Sequence, residues 1–184
     1  MNNYPFFEPV GQAMVNTSRY KEIEHIIKMC DAISRFNNQS VYLIDYVQQT
    51  FLYVSYHPLF LCGYSAEEVM KMGSFFYENV LSADDFQMLV KINRMWRKFF
   101  YDTAPEERLY SSISYDFYLQ HTNGAKILVN QKISPLLLDE NNNMWVGICI
   151  VNLSPREKTG NVVFIQKDEN LNYTYDFEGK RIIS

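Results

Sequence analysis

The chain has 184 residues, 47% of them hydrophobic and 16% aromatic, with a formal net charge of -4 and a pI near 5.4. This length and apolar content suffice for one domain with a sizeable core, and the acidic balance argues against a broad nucleic-acid surface, which carries a basic excess. The three cysteines, Cys30, Cys62 and Cys149, are far apart, odd in number and set in apolar surroundings. They read as reduced core residues rather than a disulfide or metal framework, which suits a reducing cytoplasm. No basic segment followed by an apolar run opens the chain, and residues 144–153, its most apolar stretch, are too few to span a bilayer, so no membrane contact is expected.

Residues 1–17 are mixed and proline-containing and are expected to lie on the surface as an arm. Over residues 18–36, Tyr20, Ile23, Ile26, Ile27, Cys30 and Ile33 recur at helical spacing while Lys21, Glu24 and Lys28 fall elsewhere, which predicts an amphipathic flanking helix. Asn37-Asn38 stops it. Residues 41–45 and 51–55 predict two antiparallel strands. His57-Pro58 ends the second, because proline donates nothing to a sheet and suits the first turn of a helix. Gly63 can take a positive φ just past that short helix, and Ser65 can cap the next, with Glu67 and Glu68 in its first turn. Residues 75–80 read as a brief aromatic connection. A capping-box-like start at Ser82-Ala83-Asp84-Asp85 then opens a long helix. Phe86, Leu89, Asn93, Trp96 and Phe100 form its apolar stripe, and Lys91, Arg94, Arg97 and Lys98 its solvated side.

From residue 108 onward the period changes to two, with Ile113, Tyr115, Phe117 and Leu119 alternating with Ser112, Ser114, Asp116 and Tyr118. Asn123-Gly124 is a short hairpin signal leading into a second long strand over residues 126–138. Residues 139–143 turn the chain again, and residues 144–153 read as a buried strand in which Gly147 marks close packing of another group on the backbone. Two strands, then helices, then a three-strand meander favour an α+β fold, with helices crossing one face of a five-stranded antiparallel sheet. Residues 162–166 and 173–177 read as a C-terminal β-hairpin.

The run Gly63-Tyr64-Ser65-Ala66-Glu67-Glu68 resembles the Gly-Tyr-Ser-x-Glu-Glu signature of bacterial PAS sensory domains. Leu81-Ser82-Ala83-Asp84-Asp85 is similar to that family's entry to its long helix, residues 115–129 to its polar hairpin, and Trp145-Val146-Gly147-Ile148 to its last strand. The resemblance implies a PAS domain over residues 39–155, flanked by an arm and helix over 1–38 and a hairpin extension over 156–184. It further implies a cytoplasmic sensory, signal-transducing domain, the regulatory part of a transcription regulator, with a small-molecule ligand or a homodimer as its partner. DNA would be reached only through a domain outside these residues. Many family members end the last strand in Asp-Ile-Thr before a signalling helix. Here Asn152-Leu153-Ser154 is followed by Pro155, so a helical, kinase-style output is not expected.

Tyr42, Phe60, Phe76, Trp96, Tyr115 and Phe117 come from elements that would surround the concave sheet face, and they are the candidate ligand-binding residues. The same rings could serve purely as core filling. His25, His57 and His121 are poorly placed as axial ligands, and residues 75–80 lack the cysteine of the family's flavin photoreceptors, so haem and flavin are not expected. Metal-ligand clusters and phosphate-binding glycine loops are missing. A small α+β enzyme could use Asp116 with His121, or Asp45 with His57, but strand ends and turns usually carry such residues for solvation. The alternative to a ligand sensor is a ligand-free interaction or dimerisation module built on the exposed sheet face and the helix over residues 18–36, with Ile26 on the seam.

Overall fold

The computed structural model describes residues 15–37, 39–166, 172–175 and 181–183. Most of the expected arm over residues 1–17 lies outside them, as does the loop over 167–171. Eight described strands form one sheet: β1 (Ser40–Asp45), β2 (Thr50–Val54), β3 (Ser112–Gln120), β4 (Lys126–Leu138), β5 (Met144–Leu153), β6 (Gly160–Ile165), β7 (Asn172–Tyr175) and β8 (Arg181–Ile183). Their order is β2-β1-β5-β4-β3-β6-β7-β8, and every pairing is antiparallel. The five expected strands form a PAS-like α+β sheet. The C-terminal hairpin adds to its β3 side through β6, with β8 as a third strand that the sequence pattern did not show.

The helices are α1 (Tyr20–Asn37), α2 (Pro58–Leu61), α3 (Ala66–Met72), α4 (Phe76–Val80) and α5 (Ala83–Asp102). Local chemistry explains the corner between β2 and α3. His57 caps α2 by accepting from the Leu59 amide, Pro58 occupies the first turn, and Cys62 ends the helix in the left-handed region at φ 55°. Gly63 follows at φ 95°, and a Cβ there would meet Thr122 Oγ1 at 2.1 Å, so the corner packs directly on the β3–β4 hairpin tip. Ser65 and Glu68 close a full capping box on α3. The expected connection over residues 75–80 is instead largely helical. Phe76, Tyr77 and Val80 recur on one side and bury it, so the short α4 is held by packing rather than by length. On α5 the buried stripe is Leu89, Ile92, Trp96 and Phe100. Ile92 takes the place expected for Asn93, because the 3.6-residue period rotates the buried line by one position there.

The sheet is covered on both faces. Inward residues of β1 to β6, including Tyr42, Ile44, Phe51, Ile113, Tyr115, Phe117, Val129, Ile133, Cys149 and Phe164, join the buried sides of α2 to α5 in the main core. On the opposite face, Val41, Leu43, Tyr53, Trp145 and Val146 pack against Ile23 and Cys30 of α1. β1 is therefore buried along its whole length. Part of the sheet face expected to be exposed is covered by α1, and Ile26 packs against it rather than facing outward. Tyr20 fixes the helix by donating to Asp45 Oδ2 at 2.8 Å, and the Arg19 guanidinium lies 4.7 Å from the Trp145 ring centroid. The group that approaches Gly147 is Tyr46, whose ring carbon would stand 2.9 Å from an added Cβ.

Candidate functional site

The inward alternation of the strands and the buried stripes of α2, α4 and α5 place all six candidate residues in one core cluster, none more than 3% exposed. Tyr42 stacks on Phe60 with centroids 4.2 Å apart, Phe60 lies 4.9 Å from Phe76, and Tyr115 lies 5.8 Å from Phe117. Trp96 stands with a different group, stacked 6.0 Å from Phe99 and 6.3 Å from Phe164. Phe164 belongs to β6, so the C-terminal extension supplies part of this wall.

Polar atoms run through the cluster. The Tyr42 and Tyr77 hydroxyls are 2.8 Å apart, and Gln131 Nε2 donates to the Tyr115 hydroxyl at 2.7 Å. Gln131, 1% exposed on the inward side of β4, was missed in the sequence reading; a polar residue between Val129 and Ile133 in a period-two stripe was the available signal. Its Oε1 has no hydrogen-bond partner, and neither does Trp96 Nε1. Burial raises the pKa of the Tyr42, Tyr77 and Tyr115 phenols and of the Cys149 thiol, and pushes the Cys62 thiol up to about 12. All stay protonated at neutral pH. These phenols and thiols, with Gln131, offer neutral donors and acceptors on an aromatic surface.

Neither proposed acid-base pair is assembled. Asp45 accepts from Tyr20 and from the Val47 and Gln48 amides, whereas the His57 ring lies against Ser40, five residues back along β1, or about 16 Å at strand rise. Asp116 and His121 are separated by the same number of residues along β3 and its turn. The expectation that these acids are solvated is also corrected: Asp45 is fully buried and Asp116 is 1% exposed. Asp116 Oδ1 accepts from Asn130 Nδ2 at 2.9 Å and Ser154 Oγ at 3.0 Å, and its Oδ2 accepts from Asn161 Nδ2 at 2.8 Å. Arg156 Nε stands 3.8 Å away. An acidic contact at the exit of β5, absent from Asn152-Leu153-Ser154 itself, is thus made by an acid on β3.

Among the described residues there is no group of three or more His, Cys, Asp or Glu side chains able to hold a metal ion, and no helix long and apolar enough to cross a membrane. All three cysteines are free and buried. Two surface pockets, of about 450 and 570 Å3, are lined by none of the six candidate rings.

No family profile and no curated protein matches the sequence. Among solved structures, the chain is similar to the PAS domain of a protein from Colwellia psychrerythraea, at 14% identity and TM-score 0.47, over 74% of this chain and 99% of that one. It is also similar to the PAS domain, in complex with ethanol, of a LuxR-family transcriptional regulator from Burkholderia thailandensis, at 10% identity and TM-score 0.46, over 68% and 96% of the two chains. A third is the PAS domain of an HTR-like protein from Haloarcula marismortui, at 15% identity and TM-score 0.43, over 76% and 100%. At these scores the likeness is coarse, and the PAS-like assignment of the fold stands on the chain's own strand order and helical cover.

Proposed function

We propose that the chain is a sensory, signal-transducing domain, the regulatory part of a transcription regulator working in a reducing cytoplasm. In this reading a small neutral molecule bound at the inner aromatic face shifts the balance between two arrangements of the sheet and its flanking elements. The observation that carries the reading is the pair of orphaned buried polar atoms, Gln131 Oε1 and Trp96 Nε1. Native interiors seldom leave such groups unpartnered, and a ligand donor at Gln131 Oε1, on the residue that already donates to the Tyr115 hydroxyl, would satisfy the one on the inner aromatic face. Tyr42, Phe60, Phe76, Tyr115 and Phe117 supply the apolar lining, and a charged ligand is disfavoured because no ionised partner faces it. The unit over residues 39–155 receives the signal, and β6 carries it outward through Phe164 and Asn161. DNA contact belongs to another domain, and the chain does no chemistry of its own.

Native mass spectrometry tests this. The protein recovered from cells is expected to carry the added mass of a small organic molecule, and Gln131→Leu is expected to lose it. A bare mass, with melting unmoved by small neutral alcohols, ketones and amides, would remove the reading.

A second reading, dimerisation, is favoured by a separate observation. Met29, Ile33 and Phe36 are 63%, 42% and 89% exposed and follow one another at positions i, i+4 and i+7 of α1. This stripe takes the place of Ile26 as the proposed homodimer seam. Ile33→Glu is expected to turn a dimer into a monomer in sedimentation without unfolding it; an unchanged mass would rule the seam out.

A further inference from the structure

β2 stands at one end of the sheet. It pairs with β1, and among the described residues no strand pairs with its other side. Which backbone groups are left open there follows from the register. The Ser55 amide donates to the Val41 carbonyl at 2.9 Å and Leu43 lies opposite Tyr53, so alternation along the strand turns the Val54 N–H and C=O away from β1. An edge of this kind is a template for an extended chain laid beside it.

The space beside this edge is a groove of about 570 Å3, walled by Leu52, Tyr53 and Val54 of β2 and by Glu67, Met70 and Lys71 of α3. Val54 belongs to the main core, whereas Leu52 and Tyr53 pack with the α1 side of the sheet, so the groove is centred on the edge of the strand rather than on either face. Val69 is fully buried and holds α3 in place beside it. The two walls differ in chemistry. Leu52 and Tyr53 offer apolar surface, while Glu67 and Lys71 are an acid and a base four residues apart on α3. That spacing is about 6 Å along a helix axis, close to the roughly 6.5 Å between alternate side chains of a strand. The Glu67 carboxylate accepts from the Tyr56 hydroxyl at 3.1 Å, and Lys71 has no ion-pair partner among the described residues.

We propose that this groove takes an extended segment of a partner protein as an added strand on β2, with a basic and an acidic residue two positions apart facing Glu67 and Lys71. Apolar residues at the alternate positions face Leu52 and Tyr53. Main-chain pairing at Val54 supplies affinity for any extended chain, and the pockets for alternate side chains supply selection. The charge pair selects further, because two like charges at those positions would set one of them against its own sign on α3. The groove lies outside the inner aromatic face and does not depend on a ligand there.

The probe is the acetylated, amidated peptide Thr-Val-Lys-Val-Glu-Val-Thr, titrated into the isotope-labelled full chain and followed by NMR. The Val54 amide is expected to shift, and its hydrogen exchange to slow by about tenfold or more, as it gains a main-chain partner. Thr-Val-Lys-Val-Lys-Val-Thr is expected to bind roughly tenfold more weakly. Lys71→Glu, an exposed change on α3, is expected to reverse that preference, since both wall charges are then acidic. No binding of the first peptide, binding that leaves the Val54 amide unmoved, or a preference unchanged in Lys71→Glu would each overturn the proposal. Self-association of the free chain that is lost in Met70→Arg would assign the groove to a second copy of this chain and overturn it as well.

Discussion

Trp96→Ala is expected to lower stability by about 3–5 kcal/mol, the range for removing a large buried aromatic side chain. Trp96 is 3% exposed on the buried stripe of α5, and its ring stacks against both Phe99 of the same helix and Phe164 of β6, which also touch each other at 4.8 Å between centroids. Alanine would open a cavity where the long helix meets the C-terminal extension, and two stacked neighbours would lose their contact at once. The indole N–H makes no hydrogen bond, so its removal leaves no polar group newly unpaired. Trp96→Phe is therefore expected to cost only about 1 kcal/mol, since the ring volume is mostly kept and an orphan donor is gone. Urea unfolding of both variants checks the pair. A near-neutral Trp96→Ala would remove this residue from both the core and the proposed interior site.

The second large effect is expected at Asp116. Its carboxylate gathers hydrogen bonds from Asn130 on β4, Ser154 after β5 and Asn161 on β6. Asp116→Ala leaves those donors facing a hole, and a loss of about 3 kcal/mol is expected because unsatisfied buried partners carry the desolvation cost of each group. Asp116→Asn keeps one acceptor oxygen but turns an NH2 toward the other donors, for an expected loss of about 1–2 kcal/mol. The two values come from denaturant melts, and amide exchange shows where the loss falls. In Asp116→Ala, protection is expected to drop first in β6, whose approach to β3 this carboxylate helps to hold. Wild-type stability and unchanged exchange in β6 would mean that the carboxylate does not secure the extension.

The elements that were legible beforehand are those whose cause is local. Alternation from Ile113 to Leu119 makes a strand with one apolar face wherever it lies, Asn123-Gly124 makes its turn, and the Ser65–Glu68 capping box closes between residues three apart. The inward location of Trp96, Tyr115 and Phe117 was legible for the same reason, since periodicity says which side of a long element is buried; that of Phe76 was not, because the segment over residues 75–80 read as a connection and is helical.

Periodicity does not say against what. Ile26 and Ile33 both read as one apolar helix, and only the docking of α1 on the outer sheet face separates Ile26, packed on the sheet, from Ile33, 42% exposed. Asp116 sits on the polar side of its strand and reads as solvated. It is buried because β6 and the turn after β5, more than thirty residues later in the chain, arrive beside it with Asn161 and Ser154. Gln131 is the sharpest case. Its inward direction follows from the strand period, but its unpartnered Oε1 exists only once Tyr115 on the neighbouring strand has taken the Nε2 side. Sequence by itself determined the longer elements, the caps at Ser65 and Ser82 and the apolar sides of the strands and long helices, because those follow from backbone sterics and hydrogen bonds a few residues apart. Tertiary structure alone decided which polar groups are satisfied, because satisfaction depends on partners that the chain brings together from far apart.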